Sequence, residues 1–403
     1  MSRRFARFLL LAFALPAVAL AGGDPIENPA VPPGGVETVT LNEAWRAGGE
    51  DDDVIFGSIG TVTCDDAGRV YVLDSQLSQV QAYTPDGEHV ATLGREGDGP
   101  GEVRQPGGMF LMPDGRLALL QTFPGRIVLL HRDGTPAGEL AYQPPGGGQQ
   151  GSFMVLNAAQ GLADGMVVLG IRMSMAGGPM NHQTFFLART DLEGREQAVY
   201  LEKPYAVDFS DFRLDEMKMD FVWSRFAADD EGRVYTAPAR NEYRIRVQAP
   251  DGTVVREFGR EFTAAPRDDA AREQAHQVLE GVAAYYQGVP LQGTTIEDVE
   301  AAIVSLAIGP DGNVWVQNSN PGDLPEGVFN RLDVFAPDGR FLRQVDLHCP
   351  GDARRDGLTL LPDGRVVVIR GALDAWLSQQ AVDVGAASAT DAPVLEIVCY
   401  ERS

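Results

Sequence analysis

One device recurs along the chain. A short apolar run leads into an x-Asp-x-Gly or Pro-Asp-Gly turn, and another apolar run leads out of it. Asp-Gly supplies a positive φ at little cost, so each turn predicts a tight antiparallel hairpin. One set of turns ends in Gly68, Gly115, Gly165, Gly232, Gly312 and Gly364. The runs that follow align: Arg69-Val-Tyr-Val-Leu-Asp74, Arg116-Leu-Ala-Leu-Leu-Gln121, Met166-Val-Val-Leu-Gly-Ile171, Arg233-Val-Tyr-Thr-Ala-Pro238, Asn313-Val-Trp-Val-Gln-Asn318 and Arg365-Val-Val-Val-Ile-Arg370. In most of them an apolar stretch closed by a polar residue reads as a buried strand arriving at a surface. A second set ends in Gly87, Gly134, Gly194, Gly252 and Gly339, each after a strand such as Val80–Tyr83 or Leu332–Phe335 and before another such as His89–Leu93.

Two hairpins per unit make four antiparallel strands. Six units, spaced by 47, 50, 67, 80 and 52 residues, predict an all-β, six-bladed β-propeller. An irregular pair of β-sandwiches is the competing reading, and sandwiches do not repeat at this period. The sixth unit lacks an outer strand, because Leu395–Cys399 runs into Ser403. Val36–Leu41, near the start, has nothing before it to pair with. The expectation is that this N-terminal strand joins blade six and closes the ring, leaving no open edge. Residues 22–403 then form a single propeller domain.

The run Gly57–Pro106, with VYVLD, QVQAYTPDG and LGREGDGPGEVRQP, resembles the NHL-repeat-like six-bladed propellers of exported bacterial proteins. The resemblance spans essentially the whole mature chain. It implies the fold, and it leaves function open among binding and sensor domains, with metal-dependent lactonases and lyases in the wider fold.

In such a fold both sets of Asp-Gly turns share one face. The longer segments fall on the other: Met173–Thr184, Ser319–Asn330, Gly371–Pro393, Lys203–Asp220, Gly259–Ala302 and Arg95–Gly108. Loops on a rigid scaffold carry binding, so this is the expected functional face. The insertion 259–302, between blades four and five, reads helical. Asp268 and Asp269 suit a helix start, and Ala275, Val278, Leu279, Val282 and Tyr286 recur at helical spacing. Thr295-Ile-Glu-Asp298 predicts a second short helix. The layer is either a lid or a structural cap.

Residues 1–21 form an expected secretory signal. Arg3, Arg4 and Arg7 precede an apolar Phe8–Leu20 and an Ala19-Leu20-Ala21 cleavage site. This places the mature chain outside the cytoplasm, periplasmic or extracellular, with no membrane span after cleavage. The formal charge of −24 would become −27 on losing three arginines. Such a surface repels phosphate backbones, so no nucleic-acid partner is expected. Cys64, Cys349 and Cys399 are too few for a disulfide scaffold, and no disulfide is expected.

Candidate chemistry is sparse. The acidic run Glu50–Asp53 lacks the spacing of a calcium loop. Gly94–Glu102 is glycine-rich without the Lys-Ser/Thr of a phosphate cradle. The five histidines form no metal-binding spacing, and no nucleophile elbow appears. The sixth position after each first-set glycine is Asp74, Gln121, Ile171, Pro238, Asn318 and Arg370, where a strand reaches the insertion face. Arg104, Arg126, Arg172, Arg225 and Arg240 should approach the same rim. They would fork-bind an anionic group or pair with neighbouring carboxylates to seal blade junctions. Trp223, with Tyr205, Phe209, Phe212, Phe221, Tyr285, Tyr286 and Trp376, would pack the insertions or line a pocket. The expectation is a monomeric, non-catalytic module that binds a protein or small-molecule ligand with no cofactor, its sites Asp74, Arg104, Arg126, Arg172, Trp223, Arg225, Arg240, Asn318 and Arg370. The alternative is a metal-dependent hydrolase or lyase, with a divalent cation on groups such as Asp74 and Asn318.

Overall fold

The computed structural model describes residues 23–50, 52–145, 152–174, 180–286, 288–319, 324–382 and 395–402. The expected signal segment and its cleavage site lie outside the described residues. So do Asp51 of the acidic run and the 175–179, 320–323 and 383–394 portions of three predicted loops.

Ten of the eleven predicted glycine turns close in one way. In the first, the Gly68 amide donates to the Asp65 carbonyl at 2.9 Å and the Asp65 amide donates to the Arg69 carbonyl at 3.0 Å. The turn glycine is left-handed in all ten, with φ from +72° at Gly312 to +93° at Gly364. A turn carboxylate often braces the loop. Asp65 Oδ1 accepts from the Ala67 and Arg69 amides at 3.0 Å each, and Asp65 Oδ2 accepts from the Tyr71 hydroxyl. This explains why Asp and Gly recur together: the glycine supplies the φ, and the carboxylate satisfies amides that the turn leaves unpaired. Gly165 departs from the expectation. It is the first residue of its strand, paired with Leu162 across a two-residue turn. A Cβ there would lie 1.9 Å from the Thr190 carbonyl oxygen, so close approach requires the glycine.

The hairpins assemble in a propeller arrangement, and the chain is all-β with few helices. The first sheet is Ile59–Cys64, Val70–Asp74, Gln79–Tyr83 and His89–Leu93. The second runs from Pro106–Leu111 to Pro136–Ala141, and the third from Ser152–Leu162 to Glu196–Asp208. The fourth, Phe226–Ala228 to Val254–Arg260, carries an added parallel strand, β1 (Ile26–Asn28), on its outer edge. Eight further strands form one sheet whose two halves meet at β2 (Val36–Gly48), and Arg213–Asp215 and Gly293–Thr295 form a separate two-stranded sheet.

That junction corrects the closure expected from Val36–Leu41, since only Leu41 of that segment joins the final strand. Val36–Thr40 pairs in parallel with Gln344–His348, and only Leu41–Gly48 pairs antiparallel with the final strand Glu396–Arg402. The N-terminal segment is therefore a belt across three successive strand groups. Asn28 fastens it. Its side chain donates to the Gly259 and Gly339 carbonyls at 2.8 and 2.9 Å and accepts from the Phe341 amide at 3.0 Å. Apolar clusters fill each junction between consecutive strand groups. The last joins Trp45, Ile397 and Cys399 to Val62, Val72 and Tyr83 of the first sheet. All three cysteines are free and buried.

The insertions build a second layer. Helix α1 (Glu216–Met219) follows Arg213–Asp215, which pairs in parallel with Gly293–Thr295. Helix α2 (Asp269–Ala283) is capped by Asp268, whose carboxylate accepts from the Ala271 amide. Leu279 is buried, and Val282 and Tyr286 pack on the third sheet's apolar cluster. Helix α3 (Ala372–Gln379), unforeseen in the sequence, meets α2 where Gly281 lies against the Trp376 ring. The second helix expected from Thr295 is not formed. Residues 296–302 run without helical structure, and the Arg267 amide donates to the Asp298 carbonyl. Nor are Met173–Thr184 and Lys203–Asp220 simple loops. The third sheet's hairpin continues through Ser174 and Met180, and its last strand through Asp208, because Tyr205 and Val207 find apolar cover there. Among the described residues, no helix is long and apolar enough to cross a membrane.

Candidate functional site

The polar positions at the strand ends have local work. Asp74 is fully buried, and its carboxylate accepts from the Gly57, Ser58 and Leu77 amides at 2.7, 3.3 and 2.9 Å. It ties the loop entering the first sheet to the turn leaving its second strand. Gln121 does the same in the second sheet, accepting from the Arg104 amide and donating to the Phe123 carbonyl. Asn318 donates to Asp333 at 2.9 Å. Asp333 is wholly buried and also accepts from Tyr243, Arg260 and Gln344. These residues set the loops; they do not converge on one point.

Each candidate arginine meets a carboxylate. Arg104 pairs with Glu96 and Asp98, and Arg126 with Glu139 while also donating to the Glu102 carbonyl. Arg172 pairs with Glu196 and Glu202 and lies over the Phe186 ring. Arg225 pairs with Asp220, and Arg370 with Glu396. Arg104 and Arg126 share the 95–105 crossing, whereas Arg172 and Arg370 stand apart on separate sheets. In a chain with 57 Asp and Glu against 33 Lys and Arg, carboxylate partners are abundant. Arg104 is the most accessible of these, its side chain 50% exposed.

The densest charged centre is Glu216, a residue no repeat pattern singled out. Its carboxylate accepts from Arg240 at 2.8 Å, from Arg267 at 2.7 and 2.8 Å, and from the Glu297 amide at 2.8 Å. Burial alone would push the Glu216 carboxyl up. The hydrogen bonds from Arg267 and Glu297 and the charges of Arg240 and Arg267 outweigh it and hold the carboxyl below its ordinary value. Arg240 was legible in the sequence as a rim arginine. Its partners come from two different insertions, and no spacing rule links insertions.

Trp223 belongs to packing. Its ring lies 5.0 Å from Phe185 and 5.6 Å from Phe221, and its indole N–H donates to the Met219 carbonyl. Tyr205, Phe212 and Phe221 are buried in the same cluster. Other aromatics on this face are open. Tyr285 is 62% exposed, Phe123 55% and Phe153 42%, and the last two rings lie 5.8 Å apart across a sheet junction.

A divalent cation finds no ready ligand set. Among the described residues no three His, Cys, Asp or Glu side chains gather as one. Asp74 has both oxygens occupied by amides, and Asn318 lies in a different sheet. Asp74 and Asn318, the groups expected to hold a cation, do not form a site together. A cleft of about 410 Å³ beside Ala30, Arg260 and Phe262 is also spoken for, since Arg260 donates to Asp333 and to the Glu261 carbonyl.

Known protein families and curated proteins offer no match to this chain. Solved structures of similar arrangement include a candidate exported protein from Bacteroides fragilis (10% identical, covering 91% of this chain and 99% of that one, TM-score 0.47). Regucalcin, a calcium-binding protein from Agrobacterium tumefaciens, is 10% identical over 91% of this chain and 95% of that one, TM-score 0.43. A gluconolactonase from Xanthomonas campestris is 15% identical over 86% and 87%, TM-score 0.38. At these values the likeness assigns neither a reaction nor a ligand.

Proposed function

We propose that this chain is an exported, six-bladed, NHL-repeat-like propeller that binds a protein or small-molecule partner through its insertion-bearing face. The six-blade count is supported by six apolar junctions, two of the blades being the halves of the eight-stranded sheet. Export is supported by the basic and apolar pattern of residues 1–21. The reading takes residues 22–403 as one domain and one monomer.

The distribution of exposed apolar side chains carries the proposal. Ile55, Leu77, Phe123, Phe153, Met180, Met217, Tyr285 and Val304 are all exposed and all lie in insertion-face loops or at strand ends beside them. In or beside the tight turns opposite, Val90, Leu192, Val199 and Val255 are comparably exposed among the described residues, as are Val31 and Val36 of the N-terminal segment, but the exposed aromatic and methionine side chains all lie on the insertion face. A surface enriched in large exposed apolar side chains marks a contact surface. Because the arginines are already paired, apolar contact supplies the affinity. Arg104 is the guanidinium best placed to exchange its exposed carboxylates for a ligand's. Asp74, Arg126, Arg172, Trp223, Arg225, Arg240, Asn318 and Arg370 hold the surface in shape.

Replacing Phe123 and Phe153 by Ser removes contact area without breaking an ion pair. Capture of envelope proteins or ligands by the immobilised, folded double variant should fall at least about tenfold relative to wild type, since each buried Phe contributes upwards of ~1.5 kcal/mol. Undiminished capture refutes the assignment of this face. The second reading is a hydrolase or lyase of the lactonase-like type, one protein of similar fold being a gluconolactonase. Metal analysis of the purified protein tests it: a stoichiometric, tightly held cation would favour the enzyme.

A further inference from the structure

We infer that a cavity between the two halves of the eight-stranded sheet binds a neutral, mostly apolar small molecule that presents one hydrogen-bond-accepting oxygen. The inference is independent of the insertion-face reading. The cavity measures about 200 Å³ and lies between Ile303–Ile308 and Val314–Asn318 on one side and Gly357–Leu360 on the other. Its walls are Leu306, Trp315, Leu332, Leu358 and Leu360, with Ala307. Trp315 and Leu332 are buried core, whereas every residue of Gly357–Leu360 keeps partial exposure. The cavity thus begins where the junction's packed core ends, and solvent reaches it.

Its chemistry is unusual for this chain. No titratable side chain lines it, although 22% of the residues are charged. Three polar side chains do: Ser305, Gln317 and Thr359. The Ser305 hydroxyl donates to Gln317 Oε1 at 3.0 Å, which turns the Gln317 amide so that its NH₂ is the unused end. Neither that NH₂ nor the Thr359 hydroxyl has a partner among the described residues. Apolar walls with a few convergent polar groups are the general form of a small-molecule site. The Gln317 NH₂ can only donate and so selects an oxygen acceptor, to which the Thr359 hydroxyl can also donate. A carboxylate or ammonium would lose hydration without gaining a counter-ion, so charged molecules are rejected. Size sets the rest. A dry apolar cavity of about 150 Å³ holds benzene, so this one suits a six-membered ring with a small substituent.

The test uses the full chain and ligand-observed NMR with three probes: acetophenone, toluene and benzoate. Acetophenone should bind with a dissociation constant below about 10 mM, within the usual efficiency of ligands of its size. Toluene should bind more weakly and benzoate not at all. Gln317→Leu keeps the volume and removes the donor. It should weaken acetophenone about tenfold, the worth of one hydrogen bond, and leave toluene unchanged or tighter. Ala307→Leu, which occupies part of the space, should weaken both. If that variant fails to fold, the Gln317→Leu comparison decides alone. Absence of acetophenone binding, equal binding of benzoate, or indifference of acetophenone to Gln317→Leu would each overturn the inference.

Discussion

Glu216→Ala is the sharpest perturbation of the insertion layer. The substitution leaves two guanidinium groups, those of Arg240 and Arg267, with side chains only 2% and 7% exposed and without their shared carboxylate. Removing one partner of a buried pair costs ~3–5 kcal/mol. The figure here falls at or below the low end, because Glu216 is itself 19% exposed and Arg267 keeps Glu300 at 3.1 Å. A loss of ~2–3 kcal/mol raises the opening equilibrium of the layer about 30- to 150-fold. Hydrogen exchange reads this directly. The amides of Arg267, Gln292 and Glu300 all bond within the layer or to its anchors and should exchange faster by that factor, whereas the Glu297 amide loses its acceptor outright and should exchange faster still. Strands such as Val70–Asp74 should not change. The pH dependence has a definite sign. Glu216 is held below its ordinary value near 4.5 in the folded state. Its contribution is therefore complete above that value and is lost as pH falls through the depressed folded value. The gap between wild type and Glu216→Gln should be full at pH 7 and shrink in acid, as the pH falls below the ordinary value of 4.5 and through the depressed folded one. Unchanged exchange in 264–300, or a uniform acceleration across every strand, would refute the picture of a layer anchored at this carboxylate.

Two further outcomes follow from the belt and the turns. Asn28→Ala removes three hydrogen bonds that join β1 to two strand groups, and should lower stability in denaturant titration by ~2–3 kcal/mol; a loss under about 0.5 kcal/mol would show that the belt is not fastened there. Gly312→Ala and Gly87→Ala separate backbone strain from crowding: the first has φ +72° and open space, the second φ +88° and a new Cβ 2.4 Å from Trp45. Gly312→Ala should cost ~1–2 kcal/mol and Gly87→Ala a further ~1–3 kcal/mol, and equal losses would contradict the packing of Trp45 on that turn.

What the sequence alone determined is everything local. Asp and Gly at a fixed spacing specify a turn through φ and amide satisfaction, within a few residues, so ten turns and the strands they join were readable. So was the start of α2, because Asp268 meets the amide of Ala271, three residues on. Rim positions Asp74 and Arg240 were also readable, as polar residues ending or following buried runs. The tertiary structure decided who meets whom. Nothing near Thr295 in the chain announces that its segment would be drawn straight by pairing with Arg213–Asp215 and Arg267. Nothing near Glu216 announces two arginines 24 and 51 residues away. The same holds for β2, whose two halves serve different strand groups, and for the cavity whose walls come from strands some fifty residues apart. Turn geometry is set by neighbours along the chain. Charge pairing and voids are set by neighbours in space, and those exist only once the ring has brought distant insertions together.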